Sequence, residues 1–181
     1  AGRGAARPLR LPRPESPAPA LFATSGAGRL WWVQRDRALL LDVASGSEVE
    51  GGFRFPEPIL GPLRERGAVR TDLRQMIVRT EEGAWKSWTV GDAGVERAVA
   101  LQNVPGDVLR VELSATGDFV AMVSDAEPDL VRFWNVHTGE PTAQPAVLRT
   151  AMLTAPATRP GSFSTDGRRF MAGTRSGEVN I

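Results

Sequence analysis

Few residue types in this chain suit chemistry, and they are scattered. Its one His is His137, in the segment RFWNVHTGEP (Arg132–Pro141). Imidazole titrates near neutral pH and serves as general base or metal ligand, yet a zinc-type site needs several such ligands. The chain has no second His and no Cys, and no Ser or Asp is tied to His137 by spacing. It reads as a turn residue ahead of Thr138-Gly139. Carboxylates recur in short polar gaps between apolar runs: Asp36, then Glu81 and Glu82, then Asp125, Glu127 and Asp129. Two neighbouring carboxylates can be the acid and base of a hydrolase. These sit on separate turns without apolar surroundings to raise a pKa, and read as solvated loop charge. Trp31, Trp32, Trp85, Trp88 and Trp134 offer flat apolar surfaces. In a strand Trp31 and Trp32 point to opposite faces. One of that pair, with Trp85, is therefore expected to be exposed for contacts, and Trp88 and Trp134 to be core. No phosphate loop, zinc motif or nucleophile elbow occurs, and no cofactor is expected.

The bulk composition narrows the partner. Net charge is +1 over 181 residues. Arg3, Arg7, Arg10 and Arg13 against Glu15 make residues 1–19 basic and leave the remainder slightly acidic. That remainder has no basic excess to neutralise phosphates, so nucleic acid is not the expected partner. No apolar run approaches the roughly 18 residues of a membrane helix. Residues 1–19 hold five Pro; each fixes φ and removes a donor, giving an extended linker or tail. The chain begins at Ala1 without an apolar signal core, and is expected to be an excised or incomplete sequence. Lys86 is the only Lys against 21 Arg, which suggests a GC-rich bacterial source.

Short runs rich in Val, Leu, Phe and Trp, bounded by Gly, Asp and Ser, must position these residues. They read as strands joined by tight turns: Arg29–Gln34, Arg37–Val43, Gln75–Thr80, Ala84–Val90, Val108–Leu113, Phe119–Ser124, Leu130–Val136 and Arg169–Thr174. The runs also repeat. LLLDVASGSEVE (Leu39–Glu50), KSWTVGDAGVE (Lys86–Glu96) and RFWNVHTGEP align on Leu41, Trp88 and Trp134, with separations of 47 and 46. A second anchor stays in phase: the turns SATGDFVAM (Ser114–Met122) and STDGRRFMAG (Ser164–Gly173), which align Gly117 with Gly167. A unit of about 46 residues with four strands is the size of a propeller blade.

The copy VELSATGDFVAMVSDAEPDLVRFWNVHTGE (Val111–Glu140) resembles the WD-repeat family. Its Ser-Ala-Thr-Gly-Asp stands where the family has Ser-Pro-Asp-Gly, Trp134-Asn135 stands at the Trp-Asp dipeptide, and Thr138-Gly139 matches the turn that follows. FSTDGRRFMAGTRSGEVNI (Phe163–Ile181) begins another copy. The resemblance implies an all-β fold: a partial propeller of about four consecutive four-stranded antiparallel blades, the last truncated. The blades would span about 20–55, 67–102, 108–147 and 157–181, with further blades missing. The family's Gly-His pair is absent throughout, so its buried His network cannot form and apolar packing is expected to hold the blades.

By the same resemblance the function is non-enzymatic: a scaffold binding a protein or peptide, within a larger bacterial signalling or regulatory protein. In a WD-like blade the turns from second to third strand open on the face of the links between blades, where the family often binds. Glu81, Glu82, Asp125, Glu127 and Asp129 would form an acidic strip there for a basic partner. The alternatives are a quinoprotein-type dehydrogenase propeller, whose repeats also carry an Asp, a Thr-Gly and a late Trp, and a purely structural spacer.

Overall fold

The computed structural model describes residues 21–26, 28–60, 67–70, 72–128, 130–142, 146–147, 161–173 and 179–180. The stretch 1–19 and Asp129 lie outside them. The described residues hold no helix, only strands, bridges and turns. The first sheet comprises β1 (Leu21–Gly26), β2 (Arg29–Val33), β3 (Arg37–Asp42) and β4 (Glu48–Arg54). The second comprises β5 (Gly67–Val69), β6 (Gln75–Arg79), β7 (Trp85–Gly91) and β8 (Gly94–Ala100). The third comprises β9 (Val108–Leu113), β10 (Phe119–Ser124), β11 (Leu130–Asn135) and β12 (Ala146–Val147). In the fourth are β13 (Ser162–Phe163), β14 (Phe170–Gly173) and β15 (Val179–Asn180). Strands neighbour one another in chain order within every sheet, and every pairing is antiparallel. Three sheets are thus four-stranded and the fourth three-stranded among the described residues.

Alternation along the strands decides how the sheets stack. Met76 stands opposite Trp88, and both pack with Val33, Ala38 and Phe55 of the first sheet and its following link. The neighbouring positions Ile77 and Trp85 point the other way, and pack with Val120, Met122 and Trp134 of the third sheet. Ala121, Val123 and Val131 meet Phe133, Phe163 and Phe170 at the next seam, where the rings stand edge-on with centroids 5.0–6.1 Å apart. Each of the first three sheets is therefore apolar on both faces, as a stack of blades requires. β5 runs against β9 and β4 against β8, so first strands share one edge of the array and fourth strands the other.

Leu41, Trp88 and Trp134 have no exposed surface. Trp88 and Trp134 each look back toward the preceding sheet, and Leu41 sits with Trp32 and Leu39 on the face of the first sheet turned away from the second. Each buried Trp removes on the order of 200 Å2 from water, at about 25 cal/mol/Å2. The expectation of an exposed Trp85 is overturned: it is 4% exposed. Its pairing opposite Arg79 places it on the face toward the third sheet, where an apolar ring has no water to reach. Trp32 is buried too, and Trp31 is the partly exposed member of its pair, edge-on to Phe53 at 5.8 Å.

Glycines mark close approaches between blades. Gly139, at φ 76°, lies so near β8 that a Cβ would overlap the Ala100 carbonyl oxygen. Gly94 occupies the corresponding turn one blade earlier, 3.4 Å from Phe53 for an added Cβ. In the turns between first and second strands, a Cβ on Gly117 would meet Arg70 at 3.1 Å, and one on Gly167 would meet Thr116 at 2.6 Å. The two series repeat the same contact from blade to blade.

Candidate functional site

Antiparallel connection places the turns from second to third strand, and the links between sheets, at one end of the blades (the lower end). The other turns lie at the upper end. The lower end carries Arg35 and Asp36 after β2, Glu57 in the first link, Glu81 and Glu82 after β6, Asp107 in the second link, and Asp125 and Glu127 after β10. Much of this charge is paired within the chain. Asp36 accepts from Arg54 at 2.9 Å, Glu57 from Lys86 at 2.5 Å, and Glu127 from Arg132. Arg35 reaches from the first blade's turn to Glu81 in the second. Glu82 and Asp125 are exposed and their carboxylates have no partner among the described residues. The paired registers of Leu30 with Leu41 and of Met76 with Trp88 put Glu81, with Glu82 beside it, at the position that Arg35 fills one blade earlier. One seam is thus closed by an internal cation, while at the next an acid replaces it.

Backbone bonds hold these turns to the links. Ile59 N–H donates to the Arg35 carbonyl at 2.8 Å, and Glu81 N–H to the Pro58 carbonyl at 3.2 Å. In the third blade the tie is stronger. Asp107 accepts from the Ser124 hydroxyl at 2.9 Å and from the Ala126 N–H at 2.7 Å, and its own carbonyl accepts from Asp125 N–H at 3.0 Å. The Ala126 N–H, with help from Ser124, holds the Asp107 carboxyl below the usual carboxylate range. The expected apolar packing joins the blades, and polar bonds supplement it. Without a His, Ser124 turns to a carboxylate of the link, and Trp134 Nε1 donates to the Gln102 carbonyl at 2.7 Å. No spacing rule announces a contact between residues 17 apart, so Asp107 is not found from sequence.

The upper end gathers different groups. His137 Nε2 lies 3.0 Å from Asp118 Oδ1, because the pairing of Phe119 with Asn135 brings the flanking turns together. The contact with His137, then that with Thr116, lowers the Asp118 pKa. Both side chains are half exposed, and the His137 N–H is capped by Asn135 Oδ1 at 2.8 Å. Arg70 donates to the Thr116 carbonyl at 2.6 Å and pairs with Asp72 at 2.8 Å. Gly117, Gly139 and Gly167 all have positive φ, at 84°, 76° and 69°. Among the described residues no group of three or more His, Cys, Asp or Glu is arranged to hold a metal ion.

Asp107 and Asp118 are lowered in the folded chain, which fixes a sign. Their contribution to stability is complete above the unfolded carboxylate pKa of about 3.9 and is lost as pH falls through the lowered folded values. Urea unfolding across pH 7 to 2 should show a drop below about pH 4 that Asp107→Asn and Asp118→Asn each diminish. A drop of unchanged size in both variants would remove these carboxylates from the account.

No protein-family model matches the chain, and no curated protein matches it. Among solved structures it is similar to Hsv2 of Kluyveromyces lactis, at 15% identity and a TM-score of 0.55, over 87% of this chain and 46% of that one. It is also similar to the β-propeller domain of Cps50 (Swd1) of Myceliophteria thermophila, at 13% identity and a TM-score of 0.54, over 96% of this chain and 58% of that one. The chain spans about half the length of these two solved proteins. Sheet order, register and this likeness agree on one architecture: the chain has the all-β fold of a partial β-propeller.

Proposed function

We propose that the chain is a non-enzymatic scaffold that binds a basic protein or peptide at its lower end, within a larger bacterial signalling or regulatory protein. The observation that carries this reading is the second seam. Glu82 and Asp125 stand exposed on adjacent blades with no intramolecular cation, while Arg35 answers Glu81 at the seam before. A Lys or Arg of a partner would play for the second seam the part that Arg35 plays for the first. Stacked sheets hold such loops at little further cost in entropy, which suits binding. Charges on a rigid face also steer an oppositely charged partner.

Charge reversal tests it. Replacing Glu81, Glu82, Asp125, Glu127 and Asp129 together by Lys should abolish capture of a deca-lysine peptide and leave the β-sheet circular dichroism intact. Glu81 and Glu127 also pair internally, so the double variant Glu82→Lys/Asp125→Lys is the cleaner probe. It should account for most of the loss, and binding to the unaltered chain should weaken as salt rises. Equal capture by the double variant at every salt concentration would sink the reading.

A further inference from the structure

We propose that Asp107 is a positioning residue for the third blade's part of this face, fixing the β10–β11 turn so that Asp125 is presented in one geometry. The inference rests on the reading of the lower end as a binding face. Asp107 belongs to the link that precedes β9, yet it satisfies two successive turn donors: Asp125 N–H through its carbonyl and Ala126 N–H through its carboxylate. Ser124 closes the arrangement, donating its hydroxyl to Asp107 and receiving Ala126 N–H at 3.2 Å. Beyond it, Glu127 is held by Arg132, and its carbonyl accepts from Leu130 N–H at 3.1 Å. The Asp125 side chain is thus left outward between clamped neighbours.

The second blade supplies an internal comparison. Val120 opposite Trp134 corresponds to Met76 opposite Trp88, so Ser124 corresponds to Thr80. Thr80 is buried as Ser124 is, but its hydroxyl has no hydrogen-bond partner among the described residues. The two hairpins share a fold position and a buried hydroxyl, and only that of the third blade meets a carboxylate among the described residues. A charged acceptor makes stronger hydrogen bonds than a neutral one, and two bonds on separate oxygens restrict rotation of the turn. Ordering a loop before binding removes that cost from the binding step.

The test uses the whole 181-residue chain with a labelled deca-lysine peptide as probe, read by fluorescence anisotropy over a salt series. Amide hydrogen exchange at residues 124–127 is read in parallel. Ser124→Ala removes the hydroxyl and no charge; Asp107→Asn removes the charge and one of the two carboxylate oxygens. Both should speed exchange at Ala126 and weaken the peptide by about three- to tenfold, the scale of one ordinary intramolecular hydrogen bond. In Ser124→Ala the salt slope should stay that of the unaltered chain. Ser124→Thr keeps a hydroxyl at the position where the second blade has Thr80, and should restore both readouts. Faster exchange with undiminished affinity overturns the proposal alone, as does unchanged exchange in both variants. Failure of the unaltered chain to bind deca-lysine overturns it together with the reading of the face. Circular dichroism excludes global unfolding as the source of a loss, and rescue by Thr supplies the second safeguard.

Discussion

Replacing Trp134 by Ala is expected to destabilise the chain by about 3–5 kcal/mol, the cost usual for deleting a large buried aromatic side chain. The ring lies at the centre of the cluster joining the second and third blades, with Ile77, Trp85, Val120 and Met122, and has no exposed surface. Its Nε1 is also bonded to Gln102, so truncation strands a carbonyl of the link as well as opening a cavity. Trp88 makes the useful comparison, since its Nε1 is buried without a partner among the described residues. Trp88→Ala should lose packing but no hydrogen bond, and so cost less than Trp134→Ala. His137→Ala, at a half-exposed contact with Asp118, should change stability by no more than about 0.5 kcal/mol. Denaturant midpoints would rank the three, and a His137 effect equal to that of Trp134 would contradict the blade packing.

The second large effect belongs to Gly139→Val, expected to cost about 3 kcal/mol or more. Two terms add. Positive φ costs a side-chain-bearing residue about 1–2 kcal/mol, and a Cβ here collides with the Ala100 carbonyl, which as backbone cannot swing aside. Gly28 separates the terms, having φ 73° but nothing within 4 Å of an added Cβ. Gly28→Ala should therefore show the conformational term alone, about 1 kcal/mol. Equal midpoints for the two substitutions would mean that Gly139 does not touch β8.

The second and third strands of the first three blades were readable because alternating Val, Leu, Met and Trp face a core on both sides. Gln75–Arg79 and Phe119–Ser124 are such strands. Of the outer strands only Val108–Leu113 was placed. Glu48–Arg54 (EVEGGFR) and Gly94–Ala100 (GVERAVA) are polar and Gly-bearing, because one long edge of each meets no further strand and their exposed side needs no apolar period. Short β5 holds three residues, too few for a period to register. Trp85 misled for a related reason. Sitting three residues before the repeat position at Trp88, it looked supernumerary, whereas in a sheet buried on both faces an odd offset only changes which core a side chain enters. The contacts of Asp107 with Ser124 and of His137 with Asp118 depend on three-dimensional pairing of loops, and sequence spacing carries no mark of either.

The inter-blade contacts join consecutive blades. Trp134 donates to Gln102, and Gly94, Gly117, Gly139 and Gly167 each abut Phe53, Arg70, Ala100 and Thr116 respectively. Each of these contacts joins a blade to the one before it in the chain. A ribosome delivers the chain in that same order, so each blade leaves the exit tunnel to find its docking surface already made. Vectorial synthesis and packing between consecutive blades are thus aligned. A blade arriving late has a finished template, whereas one arriving early would have to wait with its apolar face in water. A circular permutation that began the chain at the third blade would keep the same contacts in the finished protein and have the second blade follow the third.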